Sequence, residues 1–287
     1  MRQWVGRMRR LAGRARRAIM APPVAVAPPA APQTVDFLCN VCGLENRAIP
    51  LEQVQNREFQ SCVHCRSSLR MRAGMHALSL ELFGKPLVLP AFPVDKHLSG
   101  LGMSDWEGYA HGLAQKLAYT NTFYHTEPRL DITDIAEAQL GRHRFLISSD
   151  VFEHIPLFAL DAAFRNCRRL LRDDGVFLLT VPYLKIDETR EHFPRLHDFR
   201  IVETRGKRFL YNRTAGGEEE IFDDLVFHGG DGMTLEMRMF AEHDVLRRLD
   251  AAGFSSIRIY ADAVPEFGIL WPMDWAVPIA ARCGGAR

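Results

Sequence analysis

No segment of this chain can cross a membrane as a helix. The one long uncharged stretch, 18–35, is interrupted by Pro22, Pro23, Pro28, Pro29 and Pro32, and proline removes a backbone donor and clashes with the preceding turn. The same stretch lacks the leucine-rich core of a secretory signal, so residence in the cytoplasm is the expectation. No GxGxxG fingerprint follows a first strand, which argues against a nicotinamide dehydrogenase. There are no internal repeats. Net charge is scarce as well: the 287 residues balance at +1.

That balance conceals an asymmetry. Residues 1–19 hold seven arginines and no acid, which leaves 29 basic against 35 acidic residues, about −6, for the rest of the chain. A protein that tracks phosphates over its whole body needs a cationic surface, so nucleic acid is not the expected partner of the body. In the leader, Trp4, Met8, Leu11 and Ala15 recur at helical spacing among the arginines. This pattern is compatible with a short amphipathic helix that touches a membrane surface or nucleic acid, and equally with a disordered leader. Residues 20–33 are rich in alanine and proline and read as an extended linker.

What is present begins with cysteine. Cys39-Asn-Val-Cys42 and Cys62-Val-His-Cys65 are two CxxC knuckles separated by nineteen residues. Each knuckle directs two thiolates at one ion, and two knuckles complete a tetrahedral zinc site. Four sulfur ligands leave no position for water, so such a zinc is structural. Gly43 suits the tight turn after the first pair. His64 reads as a bystander, Cys167 as core. Four buried cysteines without a metal is the bland alternative. The expected organisation is a leader and linker over 1–33, a zinc ribbon over 34–70 and one larger domain over 71–287.

The clearest unit of the larger domain lies at 145–183. The run "FLIS" is a buried strand; Leu160, Phe164, Cys167 and Leu171 recur at helical spacing; Asp173-Asp174-Gly175 turns the chain; "VFLLTV" is a second buried strand. Strand, helix and strand with continuous apolar runs imply a parallel crossover in a covered sheet. The spacing predicts further helices over 71–84, stopped by Gly84, and over 242–254, stopped by Gly253, with strands at "PLVL", "SSIRIYA" and "AVPIAAR". In such sheets ligands bind outside the carboxyl ends of the strands, where Asp150, Glu153 and His154 fall. Asp150 also suits a helix cap, and Glu153 and His154 a solvated first turn.

The stretch "SDVFEHI…AFRNCRRLLRDDGVFLLTVPY" resembles the class I S-adenosylmethionine-dependent methyltransferases, in particular the type 11-like branch that acts on small molecules, and "FAEHDVLRRLDAAGF" is similar to that family's late helix and turn. The resemblance covers about residues 85–283. It implies an α/β, Rossmann-like sheet of seven strands with the last strand reversed, helices on both faces, and S-adenosylmethionine over the carboxyl edge. It places Leu89 at the end of the first strand, Asp131 and Ile132 after the third, facing the adenine, and Asp150 near the methionine end. Asp105 matches the acid that holds the ribose hydroxyls; an alternative register gives that task to Asn121 and Thr122. One departure stands out: the family's glycine-rich loop is missing after Leu89, where the chain reads "PAFPVDKH".

The implied activity is methyl transfer to a hydroxyl or similar group of a small molecule or saccharide. Because the methyl of a sulfonium is already activated, positioning is the main requirement. A hydroxyl acceptor still benefits from a base, and His192 and His228 are the candidates. Two other readings remain: an RNA methyltransferase that binds its substrate through the ribbon, and a degenerate, cofactor-free binding protein. Against RNA and DNA base methylation, the fourth strand is followed by "SDVFEH" and not by Asn/Asp-Pro-Pro-Tyr.

Overall fold

A computed structural model describes residues 33–228 and 234–284. The arginine-rich leader and most of the linker therefore lie outside the described residues. Among those described, no helix is long and apolar enough to cross a membrane.

The cysteine module opens with an antiparallel hairpin, β1 (Thr34–Leu38) and β2 (Glu45–Pro50), whose connection is the first knuckle. A short helix, α1 (Leu51–Gln55), leads to the second knuckle, and α2 (Leu69–Phe83) follows at once. As its sequence predicts, α2 stops at Gly84, in the left-handed conformation (φ 68°), where a side chain would be strained.

The main sheet is built from β3 (Asp95–Met103), β4 (Leu117–Thr122), β5 (His143–Ser149), β6 (Leu171–Thr180), β15 (Ser256–Ile259) and β16 (Ile279–Arg282). The spatial order is β15-β16-β6-β5-β3-β4. β4, β3, β5 and β6 are mutually parallel, and β16 runs against both of its neighbours. Helices α3 (Glu107–Lys116) and α4 (Leu157–Leu170) make the crossovers from β3 to β4 and from β5 to β6, and α5 (Glu242–Ala251) precedes β15. The described sheet thus has six strands, not seven. At the expected third strand only an isolated parallel bridge joins Phe123 to Arg129. The intervening residues Tyr124, His125, Thr126, Glu127 and Pro128 are all exposed, and Pro128 has no donor for a ladder.

Alternation along the strands builds two cores. Leu146, Phe177, Leu179, Ile279 and Ala281 face α4 and α5, where they meet Leu160, Phe164, Cys167, Val245 and Leu249. Phe145, Ile147, Val176, Leu178 and Ala280 face the other way, towards α2 and α3. That second core includes Phe37, Cys39, Val41 and Cys62, so the cysteine module shares its interior with the sheet. Asp173-Asp174-Gly175 sits in a register shift within β6, between the pairs His143–Leu171 and Phe145–Val176.

The first strand is not where "PLVL" suggests. Leu89 begins a single 3-10 turn, Leu89–Ala91. Its N–H donates to the carbonyl of Asn40 at 2.7 Å, and its side chain is buried in the core against α3. Pro86 and Pro90 flank the run and supply no ladder donors. The strand at the centre of the parallel block is β3, "DKHLSGLGM". Its glycines are packing devices. A Cβ on Gly100 would lie 2.1 Å from the Phe145 ring, and one on Gly102 would lie 1.9 Å from the Tyr119 hydroxyl and 2.2 Å from Asp105 Oδ2.

Between β6 and α5 lies an insertion whose strands the sequence pattern did not reveal. It comprises β7 (Tyr183–Leu184), β8 (Arg190–Glu191), β9 (Asp198–Thr204), β10 (Lys207–Arg213), β11 (Glu219–Phe222), β12 (Phe227–His228), β13 (Thr234–Leu235) and β14 (Arg238–Ala241). Its own small core gathers Phe193, Leu196, Leu210, Leu235 and Met237.

Replacing Gly100 by alanine should destabilise the protein by about 1–3 kcal/mol through overpacking. Phe145→Leu should recover part of that loss in a double-mutant cycle followed by urea unfolding. Additive losses in the two variants would show that the glycine is not required by that ring.

Candidate functional site

The carboxyl ends of the parallel strands form one polar edge. After β3 comes Ser104, and after β5 comes Asp150. Both are non-glycine residues in the left-handed region, at φ 56° and 55°. Such backbone costs about 1–3 kcal/mol and persists where the surroundings over-determine it. Asn121 and Thr122 close β4, and Ser149 and Thr180 close β5 and β6.

Asp105 belongs to the turn after β3, the first strand of the parallel block, and not to a second strand. It is buried, and its carboxylate accepts from the hydroxyls of Tyr109 (2.9 Å) and Tyr119 (2.6 Å). Its backbone is clamped by Asn121: the Asp105 N–H donates to Asn121 Oδ1 at 2.9 Å, and Asn121 Nδ2 donates to the Asp105 carbonyl at 2.8 Å. Burial pushes the Asp105 carboxyl up to about 7, against the opposing pull of the two tyrosine hydroxyls and the Arg70 charge. Of the two registers, β4 matches the alternative one, in which "YTNTFY" contains the second strand. Thr122 is buried and donates to the Gly102 carbonyl at 2.7 Å.

Asp131 and Ile132 lie on the segment that replaces the third strand. Asp131 Oδ1 accepts from the N–H and hydroxyl of Thr133, at 3.0 and 2.7 Å. Ile132 is buried in the core, and its carbonyl accepts from Asn166 of α4 at 2.9 Å.

Asp150 does not cap a helix. Arg57 grips it with two hydrogen bonds of 2.8 Å, Arg70 Nε lies 3.1 Å from Oδ2, and the Thr180 hydroxyl donates to Oδ1 at 3.0 Å. Burial opposes the charge of this carboxylate, but Arg57 and Arg70 outweigh it and hold the group well below the usual carboxylate range. Both arginines come from the cysteine module and the start of α2. Sequence reasoning missed them. The available signal was their symmetry: Arg57 stands five residues before Cys62, and Arg70 five residues after Cys65.

Glu153 and His154 are not a solvated turn. Glu153 is fully buried, its carbonyl accepts from the N–H of Met237 at 2.9 Å, and His154 Nδ1 lies 2.9 Å from the Leu235 carbonyl. Arg238, also fully buried, donates to the Phe152 carbonyl (2.9 Å) and pairs with Glu191 (2.7 Å). These residues dock the insertion onto the sheet. His192 lies within that insertion, with Nε2 3.0 Å from Glu236 Oε1. His228 ends β12, and its side chain lies outside the described residues.

The four cysteines converge. All four Sγ atoms lie within 4.8 Å of one another, with Cys39–Cys65 at 3.6 Å and Cys42–Cys62 at 3.8 Å, and none is in a disulfide. A tetrahedral ion with metal–sulfur bonds of about 2.3 Å sets its ligands about 3.8 Å apart, so the cluster fits one ion. Beside it Arg72 is fully buried, with hydrogen bonds to Ser61 Oγ (3.0 Å), the Ser67 carbonyl (2.9 Å) and the Gly268 carbonyl (3.0 Å). Its charge suits a neighbourhood of thiolates.

No family model matches this chain, and no curated protein does. Solved structures do. The CMeT domain of the citrinin polyketide synthase is 14% identical with a TM-score of 0.38; the match covers 66% of this chain, which spans about half (47%) of that one. An S-adenosylmethionine-dependent methyltransferase from Clostridium acetobutylicum is 12% identical with a TM-score of 0.39, over 65% of this chain and 84% of that one. A Burkholderia thailandensis 1,6-didemethyltoxoflavin-N1-methyltransferase with bound S-adenosylhomocysteine is 13% identical with a TM-score of 0.38, over 74% and 76%. Solved structures similar to this chain thus include an S-adenosylmethionine-dependent methyltransferase and a methyltransferase with bound S-adenosylhomocysteine.

The raised Asp105 group makes a signed prediction. In the interval between its unfolded value, 3.8, and about 7, the folded state binds the proton that the unfolded state releases, so this group's contribution falls as pH rises. Asp105→Asn should therefore gain stability relative to the parent as pH goes from 4 to 7, in urea titrations at each pH. A stability difference independent of pH would show that Asp105 is ionised throughout.

Proposed function

We propose that this chain transfers a methyl group from S-adenosylmethionine to a hydroxyl or similar group of a small molecule or saccharide. The observation that carries the reading is the polar carboxyl edge of four adjacent parallel strands, with strained backbone at Ser104 and Asp150. Brought to one edge, these residues suit a ligand rich in hydroxyls and amines.

The residues present fit the cofactor. Asp131 has Oδ2 available for an adenine amine, since Oδ1 serves Thr133. Asn121 is half-buried and retains one N–H and one lone pair beyond its clamp on Asp105, which suits a ribose hydroxyl. Asp105, buried under two tyrosines, shapes the turn and does not reach a ligand directly. Leu89 packs the core and holds no cofactor. The bound sulfonium supplies an activated methyl group, and the chain's task is to orient the acceptor in line with it. His192 is the proposed base. If Nε2–H donates to Glu236, Nδ1 remains free to take the acceptor's proton. His228 is the second candidate.

The ion of the four-cysteine cluster is proposed to be zinc in a closed, structural site. Purified protein should carry about one zinc per chain. Cys39→Ser and Cys62→Ser should release it and lower stability, while Cys167→Ser, in the core of α4, should leave the metal content unchanged. Protein purified without chelators and found free of zinc by metal analysis would reject the site.

Calorimetry with S-adenosylmethionine and S-adenosylhomocysteine tests the activity class without knowledge of the acceptor. Binding should be seen, and Asp131→Ala should weaken it by about 1.5–3 kcal/mol for a hydrogen bond to a charged group. The acceptor class is tested by deleting residues 1–33 and assaying methyl incorporation into total RNA. RNA methylation by the truncated protein would replace the small-molecule reading with the RNA one. Absence of any cofactor binding would favour a binding protein with a degenerate domain.

A further inference from the structure

Arg57 and Arg70 meet two carboxylates of unequal standing. Asp150 is 19% exposed and anchored by Arg57, Arg70 and Thr180 together. Glu58 is 52% exposed, and it fills the fork of Arg70: Nε donates to Oε1 at 2.9 Å and Nη2 to Oε2 at 2.8 Å. Arg57 also donates to Glu58 Oε1. The remaining Arg70 nitrogen, Nη1, donates to Ser149 Oγ at the carboxyl end of β5. The guanidinium of Arg70 is itself only 14% exposed.

Of the two carboxylates only Glu58 is open to water, at 52% exposed against 19% for Asp150, so Glu58 is the partner whose carboxylate is resolvated most readily when displaced. When Glu58 leaves, Arg70 keeps only Asp150, with Nε 3.1 Å from Oδ2, and the rest of its mostly buried fork is left to be satisfied by another acceptor. An incoming carboxylate would take over both hydrogen bonds of the fork and leave the charge balance of the cluster unchanged. The fork is planar and matches a carboxylate bidentately, and it stands against Ser149, where a parallel sheet receives its ligands.

We propose that Arg70, braced by Arg57, is the anion-binding group of the ligand site, and that Glu58 occupies it as an internal stand-in until a ligand carboxylate replaces it. The cysteine module thereby contributes directly to ligand recognition. The inference rests on the carboxyl edge being a ligand site. The acid could be the methionyl carboxylate of the cofactor or an acid group on the acceptor, and both present the same chemistry to Arg70.

The experiment uses the full chain, Glu58→Gln and Arg70→Gln, with S-adenosylhomocysteine and 5′-methylthioadenosine, which lacks the amino-acid tail. If the cofactor carboxylate is the anion, S-adenosylhomocysteine should bind more tightly in Glu58→Gln by up to about fivefold, the range expected when a weak pair no longer competes. The affinity for 5′-methylthioadenosine should not change. Arg70→Gln should bring the two affinities together. If the anion comes from the acceptor, both nucleosides should bind all three proteins alike. Acetate or inorganic phosphate should then raise the melting temperature of the S-adenosylhomocysteine-saturated protein, more in Glu58→Gln and not in Arg70→Gln. Should the chain bind neither nucleoside, the methyltransferase reading fails on its own, and the acetate and phosphate titrations of the three proteins still decide the anion site. Weaker S-adenosylhomocysteine binding in Glu58→Gln would overturn the proposal, as would anion and nucleoside responses identical to the parent's. Glu58 is surface-exposed, so its variant serves as the test even if Arg70→Gln does not fold.

Discussion

Asp150 carries a full negative charge where burial works against it, and two guanidiniums make that charge tolerable. Remove either side and the other is left as a poorly solvated ion, a situation far costlier than a surface pair. This mutual dependence ties the segment around the second cysteine knuckle to the end of β5. It also explains how Asp150 holds a left-handed backbone (φ 55°): the bidentate grip of Arg57, the Thr180 hydroxyl, and the Asp150 N–H donated to the Thr180 carbonyl at 2.9 Å fix the residue from three sides.

The cysteine module is consequently more than an appended tag. Its hairpin and knuckles bury Phe37, Val41 and two of the four cysteines in the core that also holds α2, α3 and one face of the sheet. A metal at the four sulfurs would rigidify the segment from Cys62 to Cys65, and Arg57 and Arg70 flank that segment and are themselves joined by a backbone hydrogen bond, Arg70 N–H to the Arg57 carbonyl at 3.2 Å. Knuckle, arginine pair and strand end form one mechanical series. Stability of the module and geometry of the polar edge are the same problem.

The opposite side of the edge is closed by the insertion. Glu153 and His154, which in the sequence look poised for ligand work, use their backbone and ring to hold Met237 and Leu235. The buried Arg238 threads between Phe152 and Glu191. With these contacts made to the insertion, the polar groups at the edge that do not dock it are Asn121, Asp131, Ser149 and the arginine pair.

Local pattern was enough for much of this protein. The CxxC spacing determines that four sulfurs can meet, because each knuckle is a short-range turn. The apolar periodicity of 145–183 determines a strand-helix-strand unit, and the glycines at 84 and 253 determine helix ends, since φ above zero is a property of one residue. The position of the first strand was not legible. "HLSGLGM" carries histidine, serine and glycine where buried strands carry branched apolar residues, and it becomes a strand only because β4 and β5 pair on both sides and the Phe145 ring and Tyr119 hydroxyl need the space that its glycines leave. Nor was the partner of Asp150 legible. Arg57 lies 93 residues away in the chain, and no periodicity or spacing encodes which charge meets which across that distance. Tertiary packing decides it, because burial penalises every ionised group that does not find its counter-charge.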